Sequence, residues 1–373
     1  MGRLVASLSA CLLLAAAFIA QAGAQEEEAK APEAAREVLE ALAGSEAVSE
    51  DTPVVEADHP LLAPATPIED LLRALGEPPP EHWIPTDAGL AVQGEAIVLT
   101  GKGVDPFGKK GSRVSAAFDC TDCHNVVRED PSLLVSDAEA RLGYAQDNGL
   151  KLLPGTTLWG IVNRESWFND DYLKKYGSLV KPANDSLRWA LQLCSAECSQ
   201  GRSLAGWEMD AVLTYLWTLQ MTVGDLGLSA EAVTIIEAAL TDPNHRTAAV
   251  AAVRASYLTA SPAHTGGVPG DREAGYGNSG DPATGAFIYN ESCLACHANG
   301  GPGTYRLGAN KRSYNELLRN RTKEDNRSFY QAVRHGTRPY GVPMAYMPFF
   351  TKERLTDQQL DDLLAFLEAE VAK

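Results

Sequence analysis

Two copies of one pentapeptide, Cys120-Thr121-Asp122-Cys123-His124 and Cys293-Leu294-Ala295-Cys296-His297, constrain this chain more than any other feature. The spacing lets two thiols form thioethers to the vinyl groups of a porphyrin while the adjacent imidazole reaches the iron from the same side. A lone Cys-x-x-Cys equally suits a zinc half-site or a redox pair. Two complete copies, each followed by histidine and each in a helical setting, predict two covalently attached haem c groups. Cys120, Cys123 and His124 would hold one, and Cys293, Cys296 and His297 the other, with His124 and His297 on the iron.

The N-terminus points to export, the setting in which haem is attached covalently. Arg3 is the only charge among the first 24 residues, an apolar core runs from Cys11 to Ala20, and Ala22-Gly23-Ala24 is a small-residue cleavage site. Residues 1–24 read as a secretory signal peptide leading to the periplasm. Leu8-Ser9-Ala10-Cys11 offers lipid attachment as an alternative, and a retained N-terminal anchor is another.

Residues 25–80 form a compositional block rich in Ala, Pro and Glu, with 14 acidic side chains between Glu26 and Glu77 against Lys30, Arg36 and Arg73. Such a segment buries too little apolar surface to offset chain entropy, so it is expected to be disordered. The whole chain has 32 Lys and Arg against 49 Asp and Glu, a formal charge of -17 that argues against a nucleic-acid partner. Its 45% hydrophobic content suffices for real cores.

The rest divides into a first unit over 81–225, a connector and Gly-rich linker over 226–280, and a second unit over 281–373. The pattern predicts a mainly α fold with two helical haem domains in tandem. Ser136-Asp137-Ala138-Glu139 opens a helix that Gly149 closes; Asn184 or Asp185 caps one running into Cys194; another spans Trp207 to Leu219. Two amphipathic stretches between Ser229 and Leu258 flank Asp242-Pro243-Asn244. Asp281-Pro282 starts the second unit, and Thr356-Asp357-Gln358-Gln359 boxes its final helix. Met209 and Met221 read as core residues.

Over nearly its whole length the second unit resembles a class I cytochrome c, through Gly285 and Phe287 before the motif, Met347-Pro348 after it, and the capped terminal helix with Phe366. That resemblance implies His297 as the proximal iron ligand and Met347 as the distal one, with Met344 and His335 as competitors.

Residues 95–220 resemble the haem-thiolate domain of di-haem thiosulfate dehydrogenases and related sulfur-oxidation cytochromes, through the first motif, Cys194, Gly201, Leu204 and Glu208-Met209. The likeness implies Cys194 as the distal ligand and as a candidate catalytic residue, and offers Arg164 as a counterpart of basic substrate-binding groups, against the readings of a propionate partner or a solvated arginine. Cys198 stands one helical turn from Cys194, leaving ligation by either sulfur, or a disulfide between them, open.

The functional expectation is electron transfer from a low-potential first haem to a high-potential second one, between soluble or membrane-attached redox partner proteins. The alternative is an oxidoreductase acting on a small sulfur anion such as thiosulfate at the first haem.

Overall fold

The computed structural model describes residues 59–337 and 346–373. The expected signal peptide, residues 25–58 of the acidic segment, and Met344 lie outside the described residues. The protein is mainly helical, and among the described residues β-structure is confined to isolated bridges.

In chain order the principal helices are α1 (Ile68–Ala74), α2 (Ala88–Thr100), α3 (Ala138–Asn148), α4 (Leu187–Leu193), α5 (Gly206–Thr218), α6 (Ala230–Thr241), α7 (Arg246–Arg254), α8 (Pro282–Ile288), α9 (Lys311–Asn320), α10 (Phe329–His335) and α11 (Asp357–Ala372). Their ends follow side-chain chemistry. The Asp87 carboxylate accepts the Leu90 N–H to start α2, and Gly101 ends it at φ 69°. Asp137 caps α3 and Gly149 closes it, one residue inside the box expected from Ser136. Ser186, rather than Asn184 or Asp185, caps α4, which runs into a π-helical turn over Cys194–Cys198. Asp281 caps α8, and Thr356 with Gln359 boxes α11, as expected.

Two helix crossings organise the cores, and both depend on glycine. Helix α2 lies across α5 at Gly94, where a Cβ would collide with the Ala211 carbonyl. Helix α8 lies across α11 at Gly285, against the Asp362 carbonyl and the Phe366 Cβ. Removing the side chain lets the backbones touch and brings the flanking apolar rows into register. Ile97, Val98, Leu187, Leu213 and Leu216 fill the first core; Ile288, Tyr289, Leu317, Leu360 and Leu363 fill the second.

The structure revises the expected boundaries in three places. From residue 59 onward the acidic segment is folded: α1 buries Ile68, Leu71 and Leu75 against Val233, Ile236 and Val253 of α6 and α7, making a third core from the supposed connector. The segment's average acidity concealed that one apolar stripe. The Gly-rich stretch 261–280 is not a loose spacer, because Tyr276 and Asn278 donate their backbone N–H groups to Asp361 at 2.8 Å each. Gly280 sits against the α11 backbone, so its small size serves close approach. Finally, α3 belongs by sequence to the first unit but buries Leu142 and Ala145 in the second core.

A buried ion pair crosses between the units. Arg354, just before α11, donates to both Glu129 oxygens at 2.5 and 3.0 Å and to the Leu153 carbonyl at 2.9 Å. Both side chains are almost fully buried, at 3% and 2% exposure. Arg141 of α3 donates to the Arg354 carbonyl.

Burial alone would raise the Glu129 pKa, but the Arg354 charge and its hydrogen bonds outweigh burial and hold it down to about 2. A carboxyl lowered on folding contributes stability that is complete above its ordinary value of 4.5 and is lost as pH falls toward about 2. Glu129→Gln should therefore cost about 3–5 kcal/mol at neutral pH by leaving Arg354 buried and unpaired. It should also flatten the loss of stability between those pH values, which denaturant unfolding followed across pH will check. Gly94→Val and Gly285→Val should each force a helix crossing apart and cost roughly 1–3 kcal/mol.

Candidate functional site

Both motifs sit in the same local construction. The first is a single turn after Asp119, whose backbone N–H donates to Asp122 at 2.8 Å while its carboxylate pairs with Arg113 at 2.7 Å. The second follows α8 through a π-helical turn over Tyr289–Cys293 and a short helix over Leu294–His297. His124 donates from Nδ1 to the Thr156 carbonyl at 2.6 Å, and His297 from Nδ1 to the Tyr305 carbonyl at 2.7 Å. Each bond fixes the tautomer and leaves Nε2 as the free lone pair.

A glycine supports each ring from below. The Gly155 N–H donates to the Cys123 carbonyl at 2.8 Å, and the Gly303 N–H to the Cys296 carbonyl at 2.9 Å. A Cβ on Gly155 would run into the His124 imidazole; one on Gly303 would stand 2.9 Å from the Cys296 carbonyl and 3.1 Å from His297 Nδ1. Sequence reading passed over both glycines, because each lies many residues beyond its motif or in a loop with several other glycines.

Burial lowers both imidazole pKa values, against the opposing carbonyl hydrogen bonds, so the rings are neutral and suited to a metal. Burial pushes the attachment thiols upward, Cys120 to about 11, Cys293 to about 12 and Cys296 to about 11. The six cysteines among the described residues are unbridged. No group of three or more His, Cys, Asp or Glu among those residues is arranged to enclose a metal.

Each motif opens on an apolar cavity. The first is lined by Ile97, Leu158, Trp167, Phe168, Leu187 and Leu216 around Cys120, Cys123 and His124. The second places Ile288, Leu317, Phe329, Phe350 and Leu363 around Cys293, Cys296 and His297. Their chemistry suits a flat apolar ring held by edge thioethers and one imidazole.

The cavities are neighbours. Phe118, Pro154 and Pro348 line both. The Cys296 Sγ lies 3.8 Å from the Asp122 carbonyl, so one motif touches the other although 174 residues separate the two atoms in sequence.

Cys194 and Cys198 both line the first cavity, and Met347 lines the second. The neighbouring Cys198 sulfur, with burial, raises the Cys194 pKa; Cys194, Tyr176 and the charge of Lys175 lower the Cys198 pKa against burial. His335 ends α10 before Gly336, at φ 65°, and is exposed rather than part of the second cavity. Met209 and Met221 are buried in cores. Arg164 donates to the Thr156 hydroxyl at 3.4 Å and opens on a separate polar cleft with Arg128 and Asp130, not on the first cavity.

No helix among the described residues is long and apolar enough to cross a membrane. No curated protein matches the chain, and no solved structure does. Residues 280–367, which carry the second motif, its cavity and Met347, match the family model described as Cytochrome C oxidase, cbb3-type, subunit III. This part of the chain is similar to a cytochrome c domain of the class I-like kind, a family that implies covalently bound haem c.

Proposed function

We propose that the chain is an exported di-haem cytochrome c that passes electrons from a low-potential first haem to a high-potential second one, between redox partner proteins. The observation that carries this reading is the repetition of the proximal construction. Twice, a Cys-x-x-Cys-His turn opens on an apolar cavity, with its imidazole Nδ1 committed to a backbone carbonyl and a glycine beneath the ring. The shared wall of Phe118, Pro154 and Pro348 supports direct transfer from one centre to the other.

When bound, each haem supplies a reversible one-electron iron couple. The chain's residues set its direction. His124 and His297 offer Nε2 to the metal, held by their Nδ1 hydrogen bonds. Met347 offers a thioether, which favours the reduced state and raises the potential of the second centre. Cys194, named by family resemblance, or Cys198, where hydrogen bonding stabilises negative charge, offers a thiolate that lowers the first. The apolar linings keep water from both rings.

The cysteine pair also favours a second reading, oxidation of a small sulfur anion in the first cavity. It is the weaker one. Arg354, the one Lys or Arg lining that cavity among the described residues, is already neutralised by Glu129.

A pyridine haemochrome assay should return two haems per chain; a value of one would end the di-haem reading. Gly155→Val should bring that value toward one by displacing His124. Met347→Ala should abolish the weak sulfur-to-iron absorption band and lower the second potential by on the order of 0.1–0.2 V, within the range of ~0.8 V that axial ligands span. In low-temperature spin resonance of the oxidised protein, Cys194→Ala should remove the low-spin thiolate signal. If Cys198→Ala removes it instead, the ligand is the second sulfur of the pair.

A further inference from the structure

The turn that carries the cysteine pair reaches into the second unit. The Tyr346 N–H donates to the Gln200 side-chain oxygen at 2.7 Å. Gln200 lies two residues after Cys198 and holds φ 53°, the one positive φ of a non-glycine among the described residues. Its neighbours fix it there: the Ser199 N–H donates to the Cys194 carbonyl at 2.9 Å, and the Gly201 N–H to the Ser195 carbonyl at 3.0 Å. A left-handed glutamine tied down on both sides, with its side chain ending on another unit's backbone, is a conformation the surrounding structure maintains.

A second contact runs parallel to the first. The Tyr176 hydroxyl, on the wall of the first cavity, lies 2.9 Å from the Tyr346 hydroxyl, on the wall of the second. Cys198 lines the same cavity as Tyr176. Either hydroxyl of the tyrosine pair can donate to the other. The Lys175 ammonium stands 4.2 Å from the Tyr346 ring centre and 4.6 Å from that of Phe349. The next residue after Tyr346 is Met347, whose N–H donates to the Thr337 hydroxyl at 2.8 Å. After it, Pro348 belongs to both cavity walls.

We propose that Gln200 and Tyr176 of the first unit are positioning residues for Met347, so that the distal side of the first cavity sets the distal ligation of the second. This rests on the di-haem reading above and on Met347 as the second distal ligand. Gln200 holds the backbone one residue before the sulfur, and Tyr176 holds the neighbouring ring. Methionine is a weak ligand on a flexible side chain, so the hold on its backbone decides how fully it occupies the sixth position. Tyr176 lines the same cavity as the cysteine pair and is bonded to Tyr346, so the two distal sites are linked through it and each biases the other.

The test uses the full-length holoprotein, with haem content, the sulfur-to-iron band of the oxidised protein and both midpoint potentials as readouts. In Gln200→Ala, two haems per chain should remain while the band weakens by roughly twofold or more and the second potential falls, as Met347 populates a detached state. Gln200→Glu keeps an oxygen acceptor for the Tyr346 N–H and should restore the band. Tyr176→Phe, which removes one hydroxyl and no bulk, should lower the second potential and also change the first centre's spin-resonance signal. An unchanged band and unchanged second potential in both Gln200→Ala and Tyr176→Phe would overturn the positioning role while leaving the di-haem reading intact. Wild-type protein with one haem, or without the band, would overturn both together.

Discussion

The ion pair between Glu129 and Arg354 is the contact on which the arrangement of both motifs depends. Glu129 follows the first motif by five residues and Arg354 precedes α11, so the pair ties the first motif's loop to the second unit's terminal helix. Its influence reaches the imidazole in two steps. Glu129 accepts the Thr157 N–H at 2.7 Å and the Asn125 side-chain amide at 2.9 Å. Thr157 is held again by the Asn125 and Val127 carbonyls. The neighbouring Thr156 carbonyl is the acceptor for His124. A fully buried charge pair is stable only when nearly all its lone pairs and protons are satisfied, and these contacts satisfy Glu129.

Around that pair the two units behave as one body. Helix α3 leaves the first motif's loop and fills the second core, the stretch over 261–280 lies along α11, and Cys296 abuts Asp122. The supporting contacts repeat this direction: the Leu152 N–H donates to the Glu291 carbonyl at 3.1 Å, and the Gln359 amide to the Ala138 carbonyl at 2.9 Å. For the proposed electron transfer between two haems, such packing would fix their separation. The proximal construction at each motif and the crossing of the two cysteine-bearing and methionine-bearing turns then belong to one packing problem.

Much of this was legible in residue order. The motifs, the caps at Asp281 and Thr356, the glycine stop at Gly149 and the core roles of Met209 and Met221 are local chemistry, and each stands where expected, while the cap of α3 falls one residue later than expected, at Asp137. The kinship of the two helix crossings was harder to see. Gly94 and Tyr215 repeat the relation of Gly285 and Phe366, but the first glycine stands 26 residues before its motif and the second only eight. Helix α1 was hidden for another reason: averaged over the acidic segment, four well-spaced apolar residues make little impression.

What the sequence by itself determined is the chemistry at each motif and the ends of the helices, because thiol spacing, caps and left-handed glycines act over a few residues. Only the tertiary structure decided which carbonyls hold the imidazoles, that α3 serves the second core, and that Tyr176 meets Tyr346. Those contacts join residues from eight to more than 170 positions apart. They arise when two helix pairs and a buried ion pair fix the backbone in space, and nothing in the intervening residues encodes that distance.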